Sequence, residues 1–164
     1  MNVDRDRNMA LKPSYNDKLY LPGLSNTEIL ILALEASQKL EWNIEEVTPE
    51  GIRFEVPFSI RSHGEAITFT IEKGSDGEVS VRSQSSSVQF VDYGKNRKNI
   101  QKLRETMEEI KASLTPEELA QRAKDFEEEF NRPLTEEEKA YIEEEKKRNS
   151  FWSFFIPDRL SLLL

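Results

Sequence analysis

Cysteine is absent from the 164 residues, which excludes a disulfide framework, thiolate-ligated zinc and a cysteine nucleophile, and fits a reducing compartment. Stability must therefore come from packing. Histidine occurs once, so a zinc site would need carboxylates for nearly all its ligands. Positive charge is in short supply: 23 Lys and Arg stand against 31 Asp and Glu, a formal net charge of -8 with a pI near 4.9. A surface of that sign repels a polyphosphate backbone, and no nucleic-acid partner is expected. No apolar run approaches the roughly 20 residues needed to cross a bilayer, and the last stretch is interrupted by Pro157, Asp158 and Arg159. The chain as written is not expected to span. Met1 to Pro13 is polar and lacks the apolar centre of a secretory signal, so a cytoplasmic location is expected.

With 37% hydrophobic and 33% charged residues, the chain is lean for a domain packed from end to end. Four stretches are expected: a mobile N-terminus (1–17), an α+β domain (18–113), an acidic two-helix arm (114–150) and an aromatic apolar tail (151–164). Ser25 and Glu28 form a capping box, and the run Ile29 to Ala36 is apolar on several sides, which predicts a buried helix over Asn26 to Leu40. From Trp42 the period changes to two. Ile52, Phe54, Val56 and Phe58 oppose Arg53 and Glu55, and Ile67, Phe69 and Ile71 oppose Thr68 and Thr70.

Turn residues separate these runs, at Pro49-Glu50-Gly51, Ser62-His63-Gly64 and Gly74-Ser75-Asp76-Gly77. Connections so short require antiparallel neighbours. The expectation is a four-stranded meander with two helices on one face, the second running from about Lys95 to Ser113 on the stripe Ile100, Leu103, Met107 and Ile110. Leu19 and Leu21 allow a further short strand near the start. Thr115 with Glu118, and Thr135 with Glu138, repeat the capping-box pattern and predict two short helices. Between Leu114 and Ser150, 12 acidic residues face 7 basic ones, and the apolar seam is thin.

Three features invite a functional reading. Lys95, Arg97, Lys98, Lys102 and Arg104 cluster at the start of a helix, where cations oppose the macrodipole. The first four are candidate contacts for an anionic partner or a lipid headgroup; a solvated face neutralised by Glu105, Glu108 and Glu109 is the plainer alternative. Lys146, Lys147 and Arg148 precede Phe151, Trp152, Phe154 and Phe155, an order common where a soluble region meets a membrane's cytoplasmic side. These four aromatics are candidate membrane-proximal anchors, or else fold back as a C-terminal plug. Finally, His63, Glu65 and Ser85 to Ser87 outline a possible pocket for a small ligand or reaction, although no nucleophile elbow accompanies them.

Trp42-Asn43-Ile44, Gly51-Ile52, Phe58-Ser59, Gly64-Glu65 and the stretch Val88 to Ile100 resemble the soluble amino-terminal region that precedes the membrane core of bacterial rhomboid-type proteins, the intramembrane serine protease family. The similarity covers about Leu24 to Pro157. Position 63 departs from it, being His where an aromatic is expected, as do the residues after Pro157. The resemblance implies a cytoplasmic accessory domain attached to membrane helices. The family's serine and histidine dyad belongs to those helices, so no catalytic residue carries over. The expected function is a non-catalytic regulatory or interaction module at the inner face of a membrane, with no metal and no cofactor. A protein or the membrane surface would be its partner. The alternative is a free cytosolic small-ligand binder or enzyme around His63.

Overall fold

The computed structural model describes residues 13–57, 64–85 and 94–148. Along the chain lie β1 (Ser14–Tyr20), α1 (Asn26–Lys39), β2 (Asn43–Thr48), β3 (Gly51–Val56), β4 (Glu65–Ile71), β5 (Glu78–Ser85), α2 (Lys95–Ser113), α3 (Pro116–Asn131) and α4 (Glu136–Arg148). The class is α+β, as composition and periodicity imply. The sheet, however, has five strands rather than four, in the order β1-β5-β4-β3-β2, with every neighbouring pair antiparallel. The chain begins at one edge and crosses to the other through α1. It then meanders back until β5 closes against β1.

β1 includes residues 14–17, a stretch expected to be mobile. It is polar because it is an edge strand with one wet face, and its order comes from partners distant in sequence. Pro13 O accepts from Ser85 N–H and from the Asn96 amide, each at 3.1 Å. Arg104 reaches from α2 to the Asp17 carboxylate at 2.6 Å and to Lys18 O at 3.2 Å. The Arg104 contact also occupies one carbonyl of the outer edge, Lys18 O, which blunts strand addition there. At the opposite edge, β2 is bulged between Ile44 and Glu46.

The inner face of the sheet presents Leu19, Ile52, Phe54, Ile67, Phe69, Ile71, Val79 and Val81, all buried. α1 and α2 cover it, α2 over β5 and β1, α1 toward β3 and β2. The near-continuous apolar run of α1 has a simple cause: sheet, α2 and α3 all lie against it, so Leu30, Ile31 and Leu34 are buried along with Ile29 and Leu32. The Ser25–Glu28 box is formed, and α1 ends in a Schellman arrangement. Glu41 N–H donates to Gln38 O at 3.0 Å and Trp42 N–H to Ser37 O at 2.9 Å, with Glu41 at φ +57°.

α3 begins the stretch read as a charged arm, yet it packs along α1. Leu119 and Ala123 are buried, and Phe126 and Phe130, stacked 5.5 Å apart, pack against the core. Thr27 donates to Glu127, and Arg122 pairs with Glu35 at 2.5 Å. The Thr115 box is formed, and the Thr115 backbone amide holds Glu118 below the usual carboxylate range. At the α3–α4 corner the Arg132 guanidinium bonds Glu129 at 2.7 Å and grips both oxygens of Glu138.

That grip, with help from the Thr135 amide, lowers Glu138 to about 2 from its ordinary 4.5. A carboxyl depressed on folding contributes its stabilisation above its unfolded value and loses it as pH falls through the folded one. The corner therefore persists through pH 4 and opens near pH 2. A carbon-13 titration of the Glu138 carboxyl tests this: the midpoint falls near 2 in the native chain and rises toward 4.5 in Arg132→Gln. Equal midpoints in the two proteins would show that the clamp is not formed.

Candidate functional site

On α2, Lys95 is half-buried while Arg97, Lys98 and Lys102 are exposed. Lys98 and Lys102 share a helix face by their four-residue spacing, with Arg97 on the flank. Gly94, at φ +72°, precedes the helix without a side-chain cap, and the first turn holds no acidic residue. Of the glutamates one turn on, Glu105 accepts from Gln101 at 2.8 Å and Glu109 pairs with Lys39 at 2.7 Å. Arg104 leaves the group altogether, being spent on β1. Phe151, Trp152, Phe154 and Phe155 lie outside the described residues, as do His63, Ser86 and Ser87.

Glu65 and Ser85 do come together. They are direct cross-strand partners at one end of β4 and β5, buried with 3% and 2% exposure. Nearby in sequence register, the Ser83 hydroxyl donates to Asn96 Oδ1 at 2.7 Å. Ser85 Oγ and Asn99 Nδ2 are buried without a hydrogen-bond partner among the described residues. Such groups are usually satisfied by bound water. Among the described residues, no group of three His, Asp or Glu side chains is placed to hold a metal ion, and no helix is long and apolar enough to cross a membrane.

The outer face of the sheet assembles residues that local reading leaves scattered. Strand pairing aligns Asn16, Arg82, Thr68, Arg53 and Glu46 in one row across all five strands, and Lys18, Ser80, Thr70, Gly51 and Thr48 in the next. No described helix packs on this side. Over β1, β5 and β4 the surface sinks into an open depression of about 860 Å³ whose floor is the short side chains Ser80, Thr68 and Thr70 and whose margins are Lys18, Tyr20 and Arg82. Tyr20 is 66% exposed, the largest hydrophobic exposure in the described chain.

Charge on this face is mostly paired. Lys18 binds Glu78, which raises the Lys18 pKa above its ordinary value, and Arg53 binds Glu45 at 2.5 Å. The Ser80 hydroxyl donates to Glu72. Arg82, exposed in the middle of the face, has no carboxylate partner among the described residues. The wet side of each strand was readable from its period of two, but the row that joins Asn16, Arg82 and Thr68 exists only through register.

The fold and this face together define an α+β domain with a helical layer on one side of the sheet and, among the described residues, no helix on the other. The chain matches no protein-family model, no curated protein and no solved structure.

Proposed function

We propose that the chain is a non-catalytic accessory or regulatory interaction module that takes a protein partner on the open face of its sheet. One observation carries this reading: the apolar side of every strand is spent on the helical layer, whereas the outer side keeps a shallow depression edged by an exposed tyrosine and an arginine with no carboxylate partner among the described residues. A surface open along its length suits a docked segment. Catalysis on a small substrate gains from walls that exclude water, and this depression has few.

A photo-cross-linking side chain at position 70, and separately at position 102, tests the choice of face in the native cell. The expected result is a discrete protein adduct from position 70. Adducts formed only from position 102, on α2 and thus behind the sheet, would overturn it.

The rhomboid-type resemblance adds a finer reading, in which the module lies at the inner face of a membrane. Lys95, Arg97, Lys98 and Lys102 then face lipid headgroups, and Phe151, Trp152, Phe154 and Phe155 anchor the chain. Exposure of Arg97, Lys98 and Lys102, none tied to a carboxylate among the described residues, supports it. Because α2 and the open face lie on opposite sides of the sheet, both contacts are compatible. Co-sedimentation with anionic liposomes is expected to fall on removal of residues 149–164. Equal partitioning of both forms at low salt would dispose of the anchor.

A further inference from the structure

Resting on that reading of the open sheet face, we infer that the partner is an extended acidic peptide segment. It sets a carboxylate on Arg82 and an apolar side chain on the ring of Tyr20.

Charge complementarity identifies the first contact. Lys18, Arg53 and Arg104 are each held by a carboxylate of the chain itself, and Arg82 is the cation of this face left without one among the described residues. Its fork accepts a carboxylate in a bidentate geometry. Asn16 and Thr68 stand directly beside it in the cross-strand row, one strand spacing away on either side. At about 5 Å per strand, the Asn16 amide and the Thr68 hydroxyl are within reach of an acid seated on the guanidinium.

Spacing identifies the second contact. From Asn16, in the Arg82 row, to Tyr20 is four residues of extended chain, about 13 Å. Between them the floor is low, formed by Ser80 and Thr70. An extended peptide whose side chains at one position and four further on point the same way spans that distance. The outer edge of β1 is the less open alternative, since Arg104 occupies Lys18 O there. The partner therefore lies across the face instead of adding a strand. A nucleic-acid strand fits less well, because Glu72 and Glu78 flank the depression and the chain carries a net charge of -8.

Selection of random heptapeptides against the full chain is the test, followed by fluorescence anisotropy and amide chemical shifts. The expected peptides carry Asp or Glu with an apolar residue four positions away. Their affinity falls about tenfold or more, in line with a charge-assisted hydrogen bond, in Arg82→Ala or when the peptide acid becomes its amide. Arg82→Lys restores part of the loss. Circular dichroism confirms that these surface variants stay folded. Neutral peptides that shift Thr68, Thr70 and Ser80 would overturn the carboxylate contact while leaving the docking face intact. Peptides that bind elsewhere, or no enrichment at all, would sink the docking face as well. Arg82-dependent binding of an oligothymidylate would replace the peptide with a nucleic acid.

Discussion

Phe54→Ala is expected to lower the unfolding free energy by about 3–5 kcal/mol, the range for truncating a fully buried aromatic. The ring has 0% exposure on the inner face of β3, with Ile44 and Ile67 as its cross-strand partners and the Trp42 ring 6.2 Å away at 58°. These neighbours belong to two strands, β2 and β4, and the segment that follows α1, so their backbones are set by separate constraints. They cannot close together on a vacated site, and the lost transfer energy is joined by a cavity term. Since domains of this size are stable by roughly 5–15 kcal/mol, this single change removes a large share. Urea unfolding monitored by far-ultraviolet circular dichroism should show a much lower midpoint at an unchanged slope. A loss below about 1 kcal/mol would mean that Phe54 is not where the sheet meets α1.

Gly77→Ala is the second large effect, and Gly74→Ala is its internal control. Both glycines lie in the β4–β5 turn with positive φ, +71° and +75°, where a side chain costs about 1–2 kcal/mol. Around Gly74 nothing lies within 4 Å of an added Cβ. At Gly77 that atom falls 2.1 Å from Leu21 O and 2.4 Å from Leu21 C, both backbone atoms that cannot rotate away. The turn after β1 must then move. That movement breaks the 2.8 Å bond from Leu21 N–H to Gly77 O and loosens the 2.9 Å bond from Gly23 N–H to Asp76, while Leu21 leaves the core edge. Strain and the lost bond together bring the expected cost to about 3 kcal/mol or more. Thermal melts of both variants decide the matter: similar shifts would show that the two turns are not in contact.

That clasp between two turns illustrates which features local chemistry reveals. Capping boxes at Ser25, Thr115 and Thr135 were readable because donor and acceptor lie three residues apart. The three central strands were readable because an inward Ile, Phe or Val at every second position, as at Ile52 and Phe54, Ile67, Phe69 and Ile71, and Val79 and Val81, needs no knowledge of a partner. β1 was not. Its residues Ser14 to Lys18 carry little apolar signal, and their order depends on Asn96, Arg104 and β5, each more than 60 residues away. α3 was readable as a charged helix with a thin apolar seam but not as a neighbour of α1: its glutamates dominate composition, while Leu119 and Ala123, with Phe126 and Phe130, dock it there.

The candidate face divides in the same way. The cations of α2 were visible as a run, and exposure keeps Arg97, Lys98 and Lys102 available. Arg82, Tyr20 and Asn16 carried no signal, since a lone arginine in a strand and a tyrosine near the N-terminus are ordinary residues.

Class, element order and the wet side of each strand follow from residue order alone, because hydrogen-bond reach and side-chain alternation act over a few positions. Which strands become neighbours, which charges find partners and which remain unmatched depend on chain crossings between distant segments. Only the folded arrangement of α1 carrying the chain across the sheet, and β5 returning to β1, puts Asn16, Arg82 and Thr68 on one line.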